Sequence, residues 1–356
     1  MSRPQVIAFY LPQFYPTPEN DEWWGEGFTE WTNVAKARPL FKGHYQPKLP
    51  GKLGFYDLRL PETREEQANL AREAGIGGFC YWHYWFNGRR LLDRVFSEVV
   101  NSGKPDFPFC LCWANHSWYQ KTWDPNKPNR LLIEQTYPGE QDYIAHFNAM
   151  LPAFKDKRYL KVDGKLVFGI FEADGIPSFT LMKEIWNDMA QKHGFQGVYF
   201  FGLAQGQKRL KEIEKEEYDT FVYDNMQTVY DHNWSLTKRA LDKLLRRPHI
   251  IEYKDYVSET IEFFREHAQY TPCIIPNFDH SPRSGSRGII LHTSTPEIWE
   301  HLFKEIYELQ QARRMPLLVI KSWNEWGEGN YLEPDMRFGK MYLDSIRKVI
   351  NQSSVK

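Results

Sequence analysis

The stretch Leu317-Leu318-Val319-Ile320-Lys321-Ser322-Trp323-Asn324-Glu325-Trp326-Gly327-Glu328-Gly329 changes character midway. Its first residues are a short apolar run, the signature of a strand. Its second half is polar and aromatic, with glycines that allow tight backbone. Other runs read the same way: Val6–Tyr10, Gly78–Trp82, Phe109–Trp113, Leu166–Phe171, Val198–Leu203, Thr220–Tyr223 and Cys273–Pro276. Helix-period segments lie between them. One opens at Pro61 with Glu62, Glu65 and Glu66, placing proline in the first turn and acids near the positive end of the dipole, and it ends at Gly75. Others run over Leu91–Val100, Gln141–Phe154, Phe179–His193, Lys208–Glu217, Leu236–Leu245, Tyr256–His267, Pro296–Arg314 and Lys340–Ile350.

Strands that alternate with helices pair in parallel through right-handed crossovers. Eight of them is the number that closes a (β/α)8 TIM barrel. The expected fold is therefore α/β, with residues 1–356 as a single catalytic barrel domain. A long loop after strand 1, over residues 11–60, is expected to cover the C-terminal face, because long connections in compact domains are usually functional. A doubly wound open sheet is the competing architecture. It places a Gly-rich phosphate turn after the first strand, and Leu11-Pro12-Gln13-Phe14-Tyr15-Pro16 stands there instead.

The chain has 356 residues, with Lys+Arg 45 against Asp+Glu 46. That balance argues against nucleic acid or an anionic membrane as the main partner, since both select basic surfaces. Aromatic residues make up 16%, with 13 Trp and 20 Tyr. This excess suggests a flat, amphipathic ligand that is stacked and hydrogen-bonded, and sugars are the commonest such ligand. No stretch is long and apolar enough to span a bilayer. The run at Val6 is too short for a leader core, so the expected location is cytoplasmic. Cys80, Cys110, Cys112 and Cys273 sit in apolar runs and read as buried thiols, with a Cys110/Cys112 redox or metal pair as the alternative. The run Lys211 to Glu217 and the basic stretch Lys238 to Arg247 read as solvated helix faces. No H-E-x-x-H or comparable cluster marks a metal site, and no cofactor is expected. The oligomeric state is not readable.

In a barrel, all strand ends lie on one face, where such enzymes build their sites. Here they carry Tyr81 to Asn87, Trp113 to Trp118, Glu172, Asp224, Asn277 to His280 and Trp323 to Gly329. Glu325 and Glu328 form the sharpest pair. Glycoside hydrolysis needs two carboxyls flanking the bond, one protonated and one ionised. The alternative is a helix start with acids on the dipole, which does not need the flanking Trp323 and Trp326. His83 and His116 read either as substrate contacts or as satisfied core histidines. Asp279 and Arg283 read as a substrate clamp or a loop salt bridge, and the tryptophans as sugar platforms or packing. The candidate glycan contacts are Tyr10, Gln13, Trp24, Glu30, Trp31, His44, Tyr45, Tyr81, His83, Trp85, Trp113, Asn115, His116, Glu172, Asp224, Asp279, Trp323, Asn324 and Trp326. Glu325 and Glu328 are expected to open into an aromatic pocket within reach of Tyr10, His83 and Trp113.

Long motifs extend this reading. Ala8-Phe9-Tyr10-Leu11-Pro12-Gln13-Phe14, Gly27-Phe28-Thr29-Glu30-Trp31-Thr32-Asn33, Gly43-His44-Tyr45-Gln46-Pro47, Gly78 to Phe86, Cys112-Trp113-Ala114-Asn115 and Trp323 to Gly329 resemble the WbsX-like family over nearly the whole chain. That family is found in bacterial polysaccharide and O-antigen clusters and is labelled glycosyltransferase. It is similar to glycoside hydrolase family 99, a (β/α)8 barrel that cleaves α-mannosidic bonds inside chains. The resemblance implies a retaining hydrolase acting on an oligosaccharide or polysaccharide. In it, Glu325 deprotonates the sugar 2-hydroxyl, which attacks C1, and Glu328 protonates the leaving oxygen and then activates water. A sugar-nucleotide transferase is the alternative, and a binding protein without catalysis a third reading. The chain departs from the WbsX pattern at His116, where an acid is common, and at Phe278, where a Trp is common. These departures bear on which substrate is taken more than on the glutamate pair.

Overall fold

The computed structural model describes residues 3–120, 129–235 and 247–353, with Thr237, Asp242, Leu244 and Leu245. Eight parallel strands form a closed ring: β1 (Gln5–Tyr10), β2 (Gly78–His83), β3 (Phe109–Trp113), β4 (Lys165–Ile170), β5 (Val198–Gln205), β6 (Thr220–Asp224), β7 (Thr271–Ile274) and β8 (Leu317–Ile320). Ala8 of β1 lies opposite Phe79 on one side and Ile320 on the other. β5 pairs with both β4 and β6, which completes the ring. The apolar runs expected as strands match these spans to within two residues at either end.

A helix follows each strand: α1 (Pro61–Ala74), α2 (Arg94–Ser102), α3 (Glu140–Phe154), α4 (Phe179–Lys192), α5 (Gly206–Ile213), α6 (Tyr253–Glu266), α7 (Pro296–Arg313) and α8 (Met341–Gln352). α1 stops at Gly75, whose φ of 88° lets its N–H close on the Ala71 and Arg72 carbonyls. Three boundaries differ most from the periodicity: α6 begins at Tyr253, three residues before the expected start, and the other two lie in α2 and α5. α2 begins only after Leu92, whose φ is 52°, and α5 ends at Ile213, so much of the Lys211–Glu217 charge run lies beyond it. The expected helix Leu236–Leu245 and the basic stretch from Lys238 fall largely outside the described residues.

Alternation along the strands sorts side chains between bore and helical layer. Phe9 stacks on Trp82 with ring centroids 4.5 Å apart, on the inside. Gly169 of β4 makes room there, because a Cβ would collide with the Phe201 ring and crowd the Cys112 sulfur. Tyr10, Phe79 and Tyr81 take the opposite parity and pack outward, where Tyr81 meets Phe96 of α2. Trp186 of α4 fills the same layer against Phe168 and Phe200. Burying such rings stabilises by roughly 1.5–3 kcal/mol each. This corrects the reading of the aromatic excess. Trp113, Trp186, Trp299 and Trp323 are fully buried, so much of that excess is packing between barrel and helices.

All four cysteines are buried and unbridged. Burial raises the Cys80, Cys110, Cys112 and Cys273 thiols above the ordinary range. Ellman's reagent is therefore expected to find no reactive thiol in the native chain and the full set in guanidinium. Fast labelling of the native chain would contradict this packing. Among the described residues no helix is long and apolar enough to cross a membrane.

Three connections build the face at the strand C-termini. Residues 11–60 carry short helices at Pro18–Trp24 and Glu30–Lys36. Beyond β7, strands Phe278–Asp279 and Ile289–His292 join His249–Glu252 in a separate sheet. Beyond β8, Asn324–Glu325 pairs antiparallel with Asn330–Tyr331 around a turn at Trp326–Glu328.

Candidate active site

The ribbon after β8 holds both glutamates. Asn324 pins it to the end of β1: its Oδ1 accepts from the Leu11 N–H at 2.7 Å, and its Nδ2 donates to the Leu11 carbonyl at 3.1 Å. Trp326 is the wedge beneath the turn. Its ring stacks on Tyr331 at 3.8 Å, and its indole donates to the buried Glu333 at 2.6 Å. Gly329, with φ 54°, turns the chain back.

Glu325 is 7% exposed, and its Oε1 accepts from the Trp82 indole at 2.9 Å. Arg283, from the loop after β7, lies among the acids. Its Nη1 is 2.5 Å from Glu328 Oε1, and its Nη2 is 2.9 Å from Glu30 Oε2 and 3.8 Å from Glu325 Oε2. Gln13 donates to the other Glu30 oxygen at 2.9 Å. A Cβ at Gly327 would collide with the Glu30 carboxylate, so the glycine of the motif admits the third acid. Lys321 closes the base of the site, 3.4 Å from Asp224 at the end of β6. His280 lies 3.9 Å from Glu328.

These contacts split the charge states of the pair. Burial, reinforced by the Glu328 charge, pushes Glu325 up to about 7 despite Arg283. Burial pushes Glu328 the same way, but Arg283, His280 and Lys321 together outweigh it and hold Glu328 below the usual carboxylate range. One carboxyl that keeps its proton near neutrality thus stands beside one that is ionised, the reverse of the order in which the family resemblance casts Glu325 as base and Glu328 as acid. Among the described residues no group of three or more His, Cys, Asp or Glu is placed to hold a metal ion.

The sequence profile described as "Glycosyltransferase WbsX" matches residues 6–346. The chain belongs to the WbsX glycosyltransferase family. Two relatives, each called "Uncharacterized protein WxcX", come from Xanthomonas campestris pv. campestris. The strain B100 protein is 35% identical over 362 residues and the strain ATCC 33913 protein 34% over 360, each covering 98% of this chain. The chain spans about half the length of these relatives, 50% in each case. Among solved structures, the GH99 endo-alpha-mannosidase from Bacteroides thetaiotaomicron superposes with TM-score 0.57 at 14% identity, covering 99% of this chain and 98% of that one. A structure described as a glycoside hydrolase-like protein superposes with TM-score 0.59 at 14% identity, covering 98% and 94%. These likenesses establish the shared barrel fold.

Around the pair, the structure of this WbsX-family chain gathers Gln13, Glu30 and Asp224 from the expected contacts. It also recruits Trp82, Arg283 and Lys321. Arg283, weighed as a partner of Asp279, contacts the glutamates instead. Lys321 had a legible signal, a lysine ending an apolar strand. Glu333 had none.

Several expected contacts point elsewhere. Glu325 and Glu328 do not open toward Tyr10, His83 and Trp113, because those residues have the outward parity. Tyr10 donates to Gln67 of α1 at 2.7 Å, His83 pairs with His146 of α3 at 2.8 Å, and Trp113 donates to the Trp85 carbonyl at 3.2 Å. Burial lowers the pKa of His83 well below the usual range, as expected of a satisfied core histidine. Tyr81 packs in the same layer, and Trp85 stacks on His146 and donates to Asp142. Trp323, Trp326 and Asn324 are buried in support of the ribbon. The Trp31 indole donates to the Tyr56 carbonyl. Asn115 grips the Glu172 backbone through both ends of its amide, leaving the Glu172 side chain at the rim. His116 lies half-buried beside Phe171, and Trp24 is exposed beside Phe28.

His44, Tyr45 and Asp279 line a separate cavity of about 220 Å³. There Asp279 accepts from Gln46 at 2.6 Å and meets His44 at 2.8 Å. Burial alone would raise the Asp279 carboxyl, but the His44 bond and the Lys48 charge bring it down to about 2.

Proposed function

We propose that this chain is an endo-acting, retaining glycoside hydrolase that cleaves α-glycosidic bonds in a mannan-like or O-antigen-like glycan, with residues 1–356 acting as one catalytic unit. The observation that carries the reading is Glu325 and Glu328 together on one short ribbon at the barrel mouth, with the Arg283 guanidinium facing both. Fold likeness to glycoside hydrolases supports it, and one of those neighbours, an endo-alpha-mannosidase, motivates the substrate class. Glu325 acts as base on the sugar 2-hydroxyl, and Glu328 protonates the leaving oxygen. Gln13, Glu30 and Asp224 bind hydroxyls around them, and Trp24 extends the contact at the rim.

The test is a screen of defined oligosaccharides for new reducing ends. A 2-deoxy analogue of any cleaved substrate should be inert, since it lacks the attacking oxygen. Normal cleavage of that analogue overturns the neighbouring-group route. The family's description as a glycosyltransferase favours a second reading, transfer from a sugar nucleotide. Calorimetry with nucleoside diphosphates separates the two: clear binding favours transfer.

A further inference from the structure

If both carboxyls are to flank one glycosidic bond, the bond must lie between them. The Arg283 guanidinium reaches both, with Nη1 on Glu328 and Nη2 facing Glu325. Its anchor is different. Nε and Nη2 both face Glu30 Oε2, at 3.3 and 2.9 Å, and Gln13 orients Glu30 from behind. Glu30 in turn fits only because residue 327 has no side chain. Arg283 thus has one fixed partner and one partner that stands where substrate must enter.

We propose that Arg283, anchored on Glu30, is a positioning residue that keeps the charge of the pair on Glu328 and its proton on Glu325, and that an entering glycan displaces it from Glu328. The proposal rests on the hydrolase reading for its substrate, but not for its resting state. Once Arg283 has withdrawn, Glu328 takes up the proton that Glu325 gives up. Glu325 then accepts the 2-hydroxyl proton as O2 bonds to C1. The C1–oxygen bond to the leaving sugar breaks, and Glu328 gives that oxygen its proton. Water later opens the anhydro sugar, with Glu328 taking the water proton and Glu325 returning one to O2. The resting enzyme is held in the unproductive protonation state until substrate arrives.

The charged and titratable groups facing the trio are Glu30 after β1, Tyr84 after β2, His280 after β7 and Lys321 just beyond β8, and Lys321 is itself paired with Asp224 at the end of β6. All of them remain when Arg283 is changed, so the comparison isolates one guanidinium.

The experiment is a carboxyl 13C NMR titration of the full chain labelled at glutamate, with Glu325 and Glu328 assigned through their Gln variants. In the wild type, the Glu325 signal should titrate near neutrality and the Glu328 signal below the normal glutamate range. Arg283→Met should move the Glu328 midpoint up by roughly 1–3 pH units, the effect of one adjacent guanidinium. Arg283→Lys should restore part of that and guards against a misfolded Met variant. With a cleaved oligosaccharide in hand, the acid limb of kcat/KM should move up in parallel, whereas a merely structural arginine would lower the rate and leave the limb in place. A Glu328 midpoint unchanged in Arg283→Met, or a wild-type Glu328 still protonated near neutrality, overturns the proposal. The titration needs no substrate, so failure of the hydrolase reading is told apart from failure of this one.

Discussion

Glu328→Gln is expected to slow cleavage of a natural glycan by roughly a hundredfold to ten-thousandfold, the usual range for a lost general acid. The substitution keeps the shape of the side chain and removes the proton. The loss should shrink for an activated aryl glycoside, whose departing oxygen needs little protonation. Glu325→Gln should be as severe on both kinds of substrate, because the base acts on the 2-hydroxyl whatever group departs. Initial rates on paired substrates check this. If the leaving-group dependence belongs to Glu325→Gln instead, the two roles are exchanged. If both variants keep full activity, the pair is structural and the hydrolase reading loses its main support.

A second large effect is expected at Glu333, which is 2% exposed. Its carboxyl accepts from the Trp326 indole at 2.6 Å, Gln67 at 2.6 Å and the Tyr56 hydroxyl at 2.9 Å. Glu333→Ala leaves those buried donors unpartnered, each costing about 1–3 kcal/mol. The summed loss should be on the order of 3–5 kcal/mol in urea unfolding, with the catalytic ribbon loosened at its wedge. Burial, opposed by these hydrogen bonds, pushes the carboxyl up to about 7. The folded value thus lies above the unfolded one. Its contribution is fully present below the unfolded range near 4.5 and is lost as pH rises toward 7. Glu333→Gln cannot ionise, so its stability relative to wild type should improve between about pH 4.5 and 7. Glu325 titrates with the same sign but is common to both proteins and cancels. An identical stability difference at both pH values would mean that Glu333 is already charged in the fold.

The barrel was legible because its strands are almost entirely buried and therefore read as apolar runs, from Val6 to Ile320, with helix caps such as Gly75 between them. The glutamate pair was legible because two acids among tryptophans need a reason. Parity was not. Tyr10, His83 and Trp113 and the inward Phe9 and Trp82 are all large residues near strand ends, and type alone does not say which face the bore. The pairing register decides it, and register depends on all eight strands together. Arg283 was visible as a charge in a loop, but its partners come from residues far away in the chain. Glu333 carries no local mark, since a carboxylate hidden beneath a tryptophan looks in sequence like any other glutamate.

The stitch between Asn324 and Leu11 joins positions 313 residues apart. During synthesis on the ribosome, the loop bearing Gln13 and Glu30 emerges long before the glutamates it must face. A nascent fragment ending before β8 has the anchor for Arg283 but neither of the acids that Arg283 separates. A fragment lacking β1 has the acids with nothing to pin their ribbon. The site therefore has no partial form. In a refolding experiment, helical signal reports local order, whereas recovered chemistry reports that the first and last strands have met.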